Sequence, residues 1–119
     1  MTLTLDPVVE APVVPQTKTY PDVLRHAALI IEERGWHQGH YISGDGKVCA
    51  LGAIVLALGG SFDATGGPKY KSFTDYAQAS EMVSDYLTGG GPIYGVADWN
   101  DRQGRTAAQV TAALRAAAG

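Results

Sequence analysis

The chain has 119 residues, 45% of them hydrophobic and 18% charged, with 15 glycines; this balance suits one globular domain with a single core and excludes a long disordered charged tail. Nine Lys and Arg against twelve Asp and Glu leave a formal charge of −3, which argues against general nucleic-acid binding, a task that takes a net basic surface. A single cysteine rules out an internal disulfide framework and suits a reducing, cytoplasmic compartment.

Residues 1–19 read as an arm. Pro7, Pro12 and Pro15 block helix and extend their neighbours, so a flexible, Pro-containing segment is expected ahead of one globular domain at 20–119. Its Val8-Val9 and Val13-Val14 pairs suit docking on an apolar groove. No positive charge precedes Lys18, and no apolar run of signal-peptide length is present. The longest apolar run, Val48 to Leu58, rises only about 16 Å as a helix, around half of a bilayer core. It is expected to be buried in the core, with no membrane partner.

Tyr20-Pro21-Asp22 opens the first expected helix, since proline is tolerated at the first helical position and an acid there suits the helix dipole. Val23, Leu24, Ala27, Ala28, Ile30 and Ile31 share its apolar stripe, and Gly35 stops it. Leu29 falls on the charged face, as an incidental surface leucine or as a contact for a partner. Ser43-Gly44-Asp45-Gly46 is a turn signal between Tyr41-Ile42 and Lys47-Val48, which predicts a tiny hairpin. The run from Cys49 to Leu58 is apolar on every side. Its Ala and Leu content and the Gly59-Gly60 stop favour a central helix wrapped by the others.

Ser61 to Lys71 is expected to be a loop around Gly66-Gly67-Pro68. Ser72 or Thr74 then caps a helix whose buried face carries Tyr76, Ala79, Met82, Val83, Tyr86 and Leu87. Thr88-Gly89-Gly90-Gly91-Pro92 ends it, and a connecting stretch holds Ile93, Tyr94, Val96 and Trp99. Thr106 and Gln109 form a capping box for the last helix, with Val110, Ala113, Leu114 and Ala117 as its stripe. The expected fold is mainly α: a small compact helical domain of about four helices around one apolar central helix, with a short β-hairpin.

Three ordered blocks carry a family resemblance. They are Leu24-Arg25-His26-Ala27-Ala28 leading into Ile31-Glu32-Glu33-Arg34-Gly35-Trp36; Asp45-Gly46-Lys47-Val48-Cys49-Ala50-Leu51-Gly52-Ala53; and Val96-Ala97-Asp98-Trp99-Asn100-Asp101 with Arg105-Thr106-Ala107-Ala108-Gln109-Val110. Over roughly Asp22 to Ala118 the chain resembles a DUF6197-like family, a domain of unknown function from actinobacteria and their phages. The resemblance implies a compact, mostly helical intracellular domain and supplies no catalytic residue. The arm and the Gly66-Gly67-Pro68 loop look specific to this member.

Cys49 is the sharpest chemical candidate. At the start of the central helix, unpaired N–H groups and the dipole favour a thiolate, and His26, His37 or His40 with Asp98, Asn100 or Asp101 would complete a Cys-His-Asp/Asn set. The plainer reading makes Cys49 a small hydrophobe of the core. His37, His40 and Cys49 also suit zinc by ligand type, but the spacing matches no standard site, and the plainer expectation is no metal and no cofactor. Asp98 and Asp101 are candidates for acid–base work. The structural alternative has Trp99 anchoring a loop, Asn100 or Asp101 bonding turn amides, and Arg102 or Arg105 pairing with Asp101. Trp36, Thr106 and Gln109 are likewise expected to serve structure. Neither a Walker pattern nor a dinucleotide fingerprint is present among the glycines.

These readings converge on a non-enzymatic binding or regulatory domain, of the kind a phage or mobile element uses as an accessory acting on a host or cellular protein. Leu29, Pro68, Lys69 and Tyr70 are the expected contacts. The alternatives are a small Cys- or zinc-dependent enzyme centred on Cys49, His37 and His40, and a small nucleotide or second-messenger binder using the glycine loops with Lys69 and Lys71.

Overall fold

The computed structural model describes residues 19–89 and 94–119. Of the arm expected over 1–19, residues 1–18 with the valine pairs lie outside the described residues, as do the Gly90-Gly91-Pro92 stop and Ile93. Five helices and one two-stranded sheet make up the described part, and among these residues no helix is long and apolar enough to cross a membrane.

Helix α1 (Tyr20–Arg34) starts where Thr19 and Asp22 cap each other's backbone: Thr19 Oγ1 accepts from the Asp22 N–H at 3.4 Å and Asp22 Oδ2 accepts from the Thr19 N–H at 3.3 Å. The whole expected stripe from Val23 to Ile31 is buried. Gly35 ends the helix at φ 97°, a conformation that costs glycine nothing. The chain then doubles back so that Val48 lies between two segments. Its amide donates to Gly35 O at 3.1 Å and its carbonyl accepts from His37 N at 3.0 Å, while Cys49 N donates to Tyr41 O at 3.2 Å. The hairpin expected at Tyr41–Val48 is present only as one antiparallel bridge, Ile42 to Val48, and Trp36 pairs in parallel with the opposite edge of Val48.

Helix α2 (Ala50–Ala57) is the apolar helix, and of its eight residues Leu56 alone is not fully buried. Gly52 sits against the Tyr41 backbone, where a β-carbon would overlap the carbonyl oxygen. Strands β1 (Ser61–Phe62) and β2 (Pro68–Lys69) pair antiparallel, Ser61 with Lys69 and Phe62 with Pro68. This corrects the expected open loop. Asp63 Oδ1 gathers the Thr65 N–H at 2.9 Å, the Thr65 hydroxyl at 2.7 Å and the Gly67 N–H at 2.9 Å, and so ties a tight turn. These bonds hold the Asp63 carboxyl below the usual carboxylate range.

Helix α3 (Phe73–Thr88) is capped by Ser72, and Gly89 closes it in the left-handed region. Tyr76, Ala79, Ser80, Val83 and Ser84 are its buried residues. Tyr86, expected on that face, is 55% exposed, because the stripe runs through the two serines one turn apart and leaves Tyr86 on its flank. The expected connecting stretch is helix α4 (Tyr94–Asn100), with Val96 and Asn100 buried one turn apart. Helix α5 (Ala107–Ala118) has the expected Thr106–Gln109 capping box.

The most extensive helix contacts are α1 with α5 and α1 with α2. Helix α2 also touches α3, α4 and β2, whereas α5 lies over α1 and α3. The apolar helix is thus wrapped by α1, α3 and α4, with the short α4 where the last helix was expected. Arg115 clamps α5 to α1 through two bonds to Glu32, at 2.8 and 2.9 Å.

Ser80 Oγ is buried with no hydrogen-bond partner among the described residues. Replacing Ser80 with Ala removes an unsatisfied polar group, so urea denaturation should find the variant equal to the parent or more stable by up to about 1 kcal/mol. Thr106→Ala removes a cap and should cost about 1 kcal/mol in the same measurement.

Candidate functional site

Asn100 is fully buried at the end of α4. Its Oδ1 accepts from Trp36 Nε1 at 2.8 Å and from the Ala50 N–H at 3.0 Å. Its Nδ2 donates to His37 O at 3.2 Å and to Asp101 Oδ1 at 2.9 Å. All four hydrogen-bonding capacities of the amide are used. One of them satisfies the first N–H of α2, which has no partner within its own helix. Gln38 braces the same corner, its Nε2 donating to Asn100 O at 3.1 Å and Arg102 O at 3.0 Å. Arg105 does not pair with Asp101 as expected: its guanidinium lies 3.9 Å over the Trp99 ring and its Nε donates to Trp99 O at 2.9 Å. Arg102 forms no ion pair with Asp101 either; among the described residues the Asp101 carboxylate has none.

Beside this junction lies a cavity of about 350 Å³. Gly39, His40, Tyr41 and Ile42 line one side, and Thr65, Gly66, Gly67 and Pro68 line another. Cys49 and Leu51 come from the start of α2, and Ala97 and Asp101 from α4 and just beyond it. The buried cysteine is the inner end of the lining, while His40 and Asp101 are exposed. Behind Tyr41, its hydroxyl interacts with those of Tyr70 and Tyr76, and burial pushes the Tyr76 phenol well above its ordinary range.

The structure therefore brings His40, Cys49 and Asp101 to one cavity, with His37 stacked on His40 at a ring separation of 5.9 Å. The setting opposes the thiolate that a catalytic Cys49 would need. Burial pushes the Cys49 thiol above its ordinary value and the Asp101 charge adds to the effect, outweighing the backbone N–H groups of Gly52 and Leu51. The sulfur acts as the N-cap of α2, accepting from Gly52 N at 3.3 Å. No group of three His, Cys, Asp or Glu side chains capable of holding a metal ion occurs among the described residues, so His37, His40 and Cys49 do not assemble as a ligand set. Asp98 is exposed and outside the cavity lining.

Of the expected contact residues, Leu29 is 50% exposed and Lys69 is exposed. Pro68 lines the cavity. Tyr70 is partly buried, 4.5 Å from the Tyr76 ring and edge-on to Phe73 at 5.1 Å. Sequence reasoning missed Tyr41, Ile42, Leu51 and Ala97 as cavity walls, for apolar residues carry no local mark of facing a void. The Asp63-x-Thr65-x-Gly67 spacing was a usable signal for the wall at Thr65–Pro68, since it is the pattern of an Asx turn.

Asn100→Leu keeps the approximate volume but strands the Trp36 indole N–H, the Ala50 N–H and the His37 carbonyl. Denaturant titration should show a loss of about 3 kcal/mol or more. Cys49 should alkylate at least about tenfold more slowly in the native protein at pH 8 than in the unfolded chain. Because its thiol ionises at higher pH when folded, the native state holds a proton that the unfolded chain releases first. Stability should thus fall as pH rises from about 8.5 towards 10, and Cys49→Ser should lessen that fall.

No curated protein and no solved structure matches the chain. A family of unknown function, DUF6197, matches residues 15–119. That span takes in the three sequence blocks, the Asn100 junction and every wall of the cavity, and the chain belongs to the DUF6197 family.

Proposed function

We propose that this domain is a non-enzymatic binding module and that the cavity beside Asn100 is the seat of a small-molecule ligand. The observation that carries the reading is the make-up of the cavity: apolar walls from Ile42, Leu51, Pro68 and Ala97, with a few polar groups converging on the same space. Concave, mainly apolar sites with a small number of fixed polar groups are the usual form of a small-ligand site. The junction around Asn100 supplies the rigidity, so little ordering has to accompany binding.

The chemistry favours binding over covalent catalysis. A nucleophilic cysteine needs a thiolate or a base at its sulfur, and the Cys49 sulfur instead caps a helix in a buried setting next to a carboxylate. A nucleotide or second messenger is a poor complement, since neither Lys69 nor Lys71 lines the cavity and Asp101 does. Action on a host or cellular protein is a second reading. Its support is the exposed ring of Phe73, 59% accessible and in contact with Tyr70.

A titration of a small aromatic and aliphatic fragment library against the labelled protein, followed by amide NMR, tests the first reading. Hits should shift Ile42, Leu51, Gly66 and Ala97 together. Ala97→Phe, which fills the space from a half-buried position, should abolish those shifts while the fold is retained. A library that leaves these resonances unmoved removes the small-molecule reading, whereas a protein partner would perturb Tyr70 and Phe73 instead.

A further inference from the structure

We infer that the ligand of this cavity carries a cationic nitrogen on an otherwise apolar frame, with Asp101 as its counter-charge; the inference rests on the small-molecule reading above. Asp101 is the one carboxylate of the lining, and no Lys or Arg lines the cavity with it. Its position is fixed from two directions. Oδ1 accepts from the Gly39 N–H at 2.9 Å and from Asn100 Nδ2 at 2.9 Å. Oδ2 has no hydrogen-bond or ion-pair partner among the described residues. The nearby arginines are engaged elsewhere or absent from the lining. Arg105 is stacked on Trp99, Arg102 does not line the space, and His40 makes no ion pair with either carboxylate oxygen.

The charge of this carboxylate is felt inside the cavity as well as in solvent, because it contributes to the upward displacement of the Cys49 thiol at the inner end. A negative potential beside apolar walls favours a cation over a neutral isostere and disfavours an anion. The two N–H groups anchor the carboxylate through Oδ1 and leave its other oxygen free to take a charge-assisted bond from an ammonium group. The remaining walls offer area and no compensating positive charge. The ligand class that fits both features is a small amine with a hydrocarbon or aromatic body.

Three probes of one frame and different charge decide it: phenethylamine, phenethyl alcohol and phenylpropionate, titrated by amide NMR into the full chain at fixed pH and ionic strength. The amine should bind about tenfold tighter than the alcohol, with phenylpropionate weakest. Asp101→Asn preserves an oxygen acceptor for Gly39 and Asn100 and should remove the preference for the amine. Asp98→Asn, an exposed carboxylate outside the lining, should leave it intact. If the alcohol or phenylpropionate binds as well as the amine, or if Asp101→Asn keeps the preference, the charge assignment is overturned while the cavity remains a ligand site. If none of the three moves the cavity resonances, both assignments fall. Should Asp101→Asn not fold, the ranking of the three probes on the parent protein decides alone.

Discussion

The side-chain amide of Asn100 is the interaction on which the rest of this structure depends. It ties Trp36 across 64 positions of sequence, His37 across 63 and Ala50 across 50. A helix apolar on all sides cannot leave its first N–H groups to water, because the neighbours that bury its side chains also exclude solvent from its end. The fold solves this with two side chains: Asn100 takes the Ala50 N–H and the Cys49 sulfur takes the Gly52 N–H. The cavity follows from the same solution. Its walls at Gly39–Ile42 and at Asp101 meet beside this amide, where Asp101 Oδ1 accepts from both the Gly39 N–H and Asn100 Nδ2.

The parts of this architecture that were legible in the sequence are those whose cause is local. Helix α1 announces itself through a stripe of six buried residues and a first-turn proline, and α5 through the Thr106–Gln109 box. The burial of α2 follows from having no polar face at all. What was illegible is short or long-range. Seven residues of α4 give too few turns for a period to be seen, and two-residue strands such as Ser61–Phe62 carry no alternation. Asn100 was readable as a residue that bonds backbone amides. The amide it bonds, however, belongs to a helix fifty positions away, a distance no turn pattern encodes.

Cys49 illustrates how two correct local arguments are ranked by burial. A helix N-terminus favours a thiolate by roughly 1 kcal/mol where solvent is near. Removing a thiol from water disfavours the anion by up to several pKa units. At 6% exposure the second effect dominates, and the Asp101 carboxylate reinforces it. Here the neutral sulfur is part of the helix end and part of a cavity wall at once.

Small residues set the dimensions of that cavity. Gly52 allows the Tyr41 carbonyl to approach α2 more closely than any side chain would permit, and Gly60 gives the Lys69 carbonyl the same access at the other end of the helix. Each close approach brings a wall-bearing segment onto α2: the strip from Gly39 to Ile42 on one side and the β1–β2 hairpin on the other. Gly67 in turn lies so near the Asp63 carboxylate that a β-carbon would stand 2.8 Å from Oδ2, which ties the tip of the hairpin to its own turn residue. Between these contacts the apolar walls are Ile42, Leu51, Pro68 and Ala97, alongside His40 and Tyr41. The cavity therefore owes its place to backbone positions set by close approaches at glycines and by one asparagine.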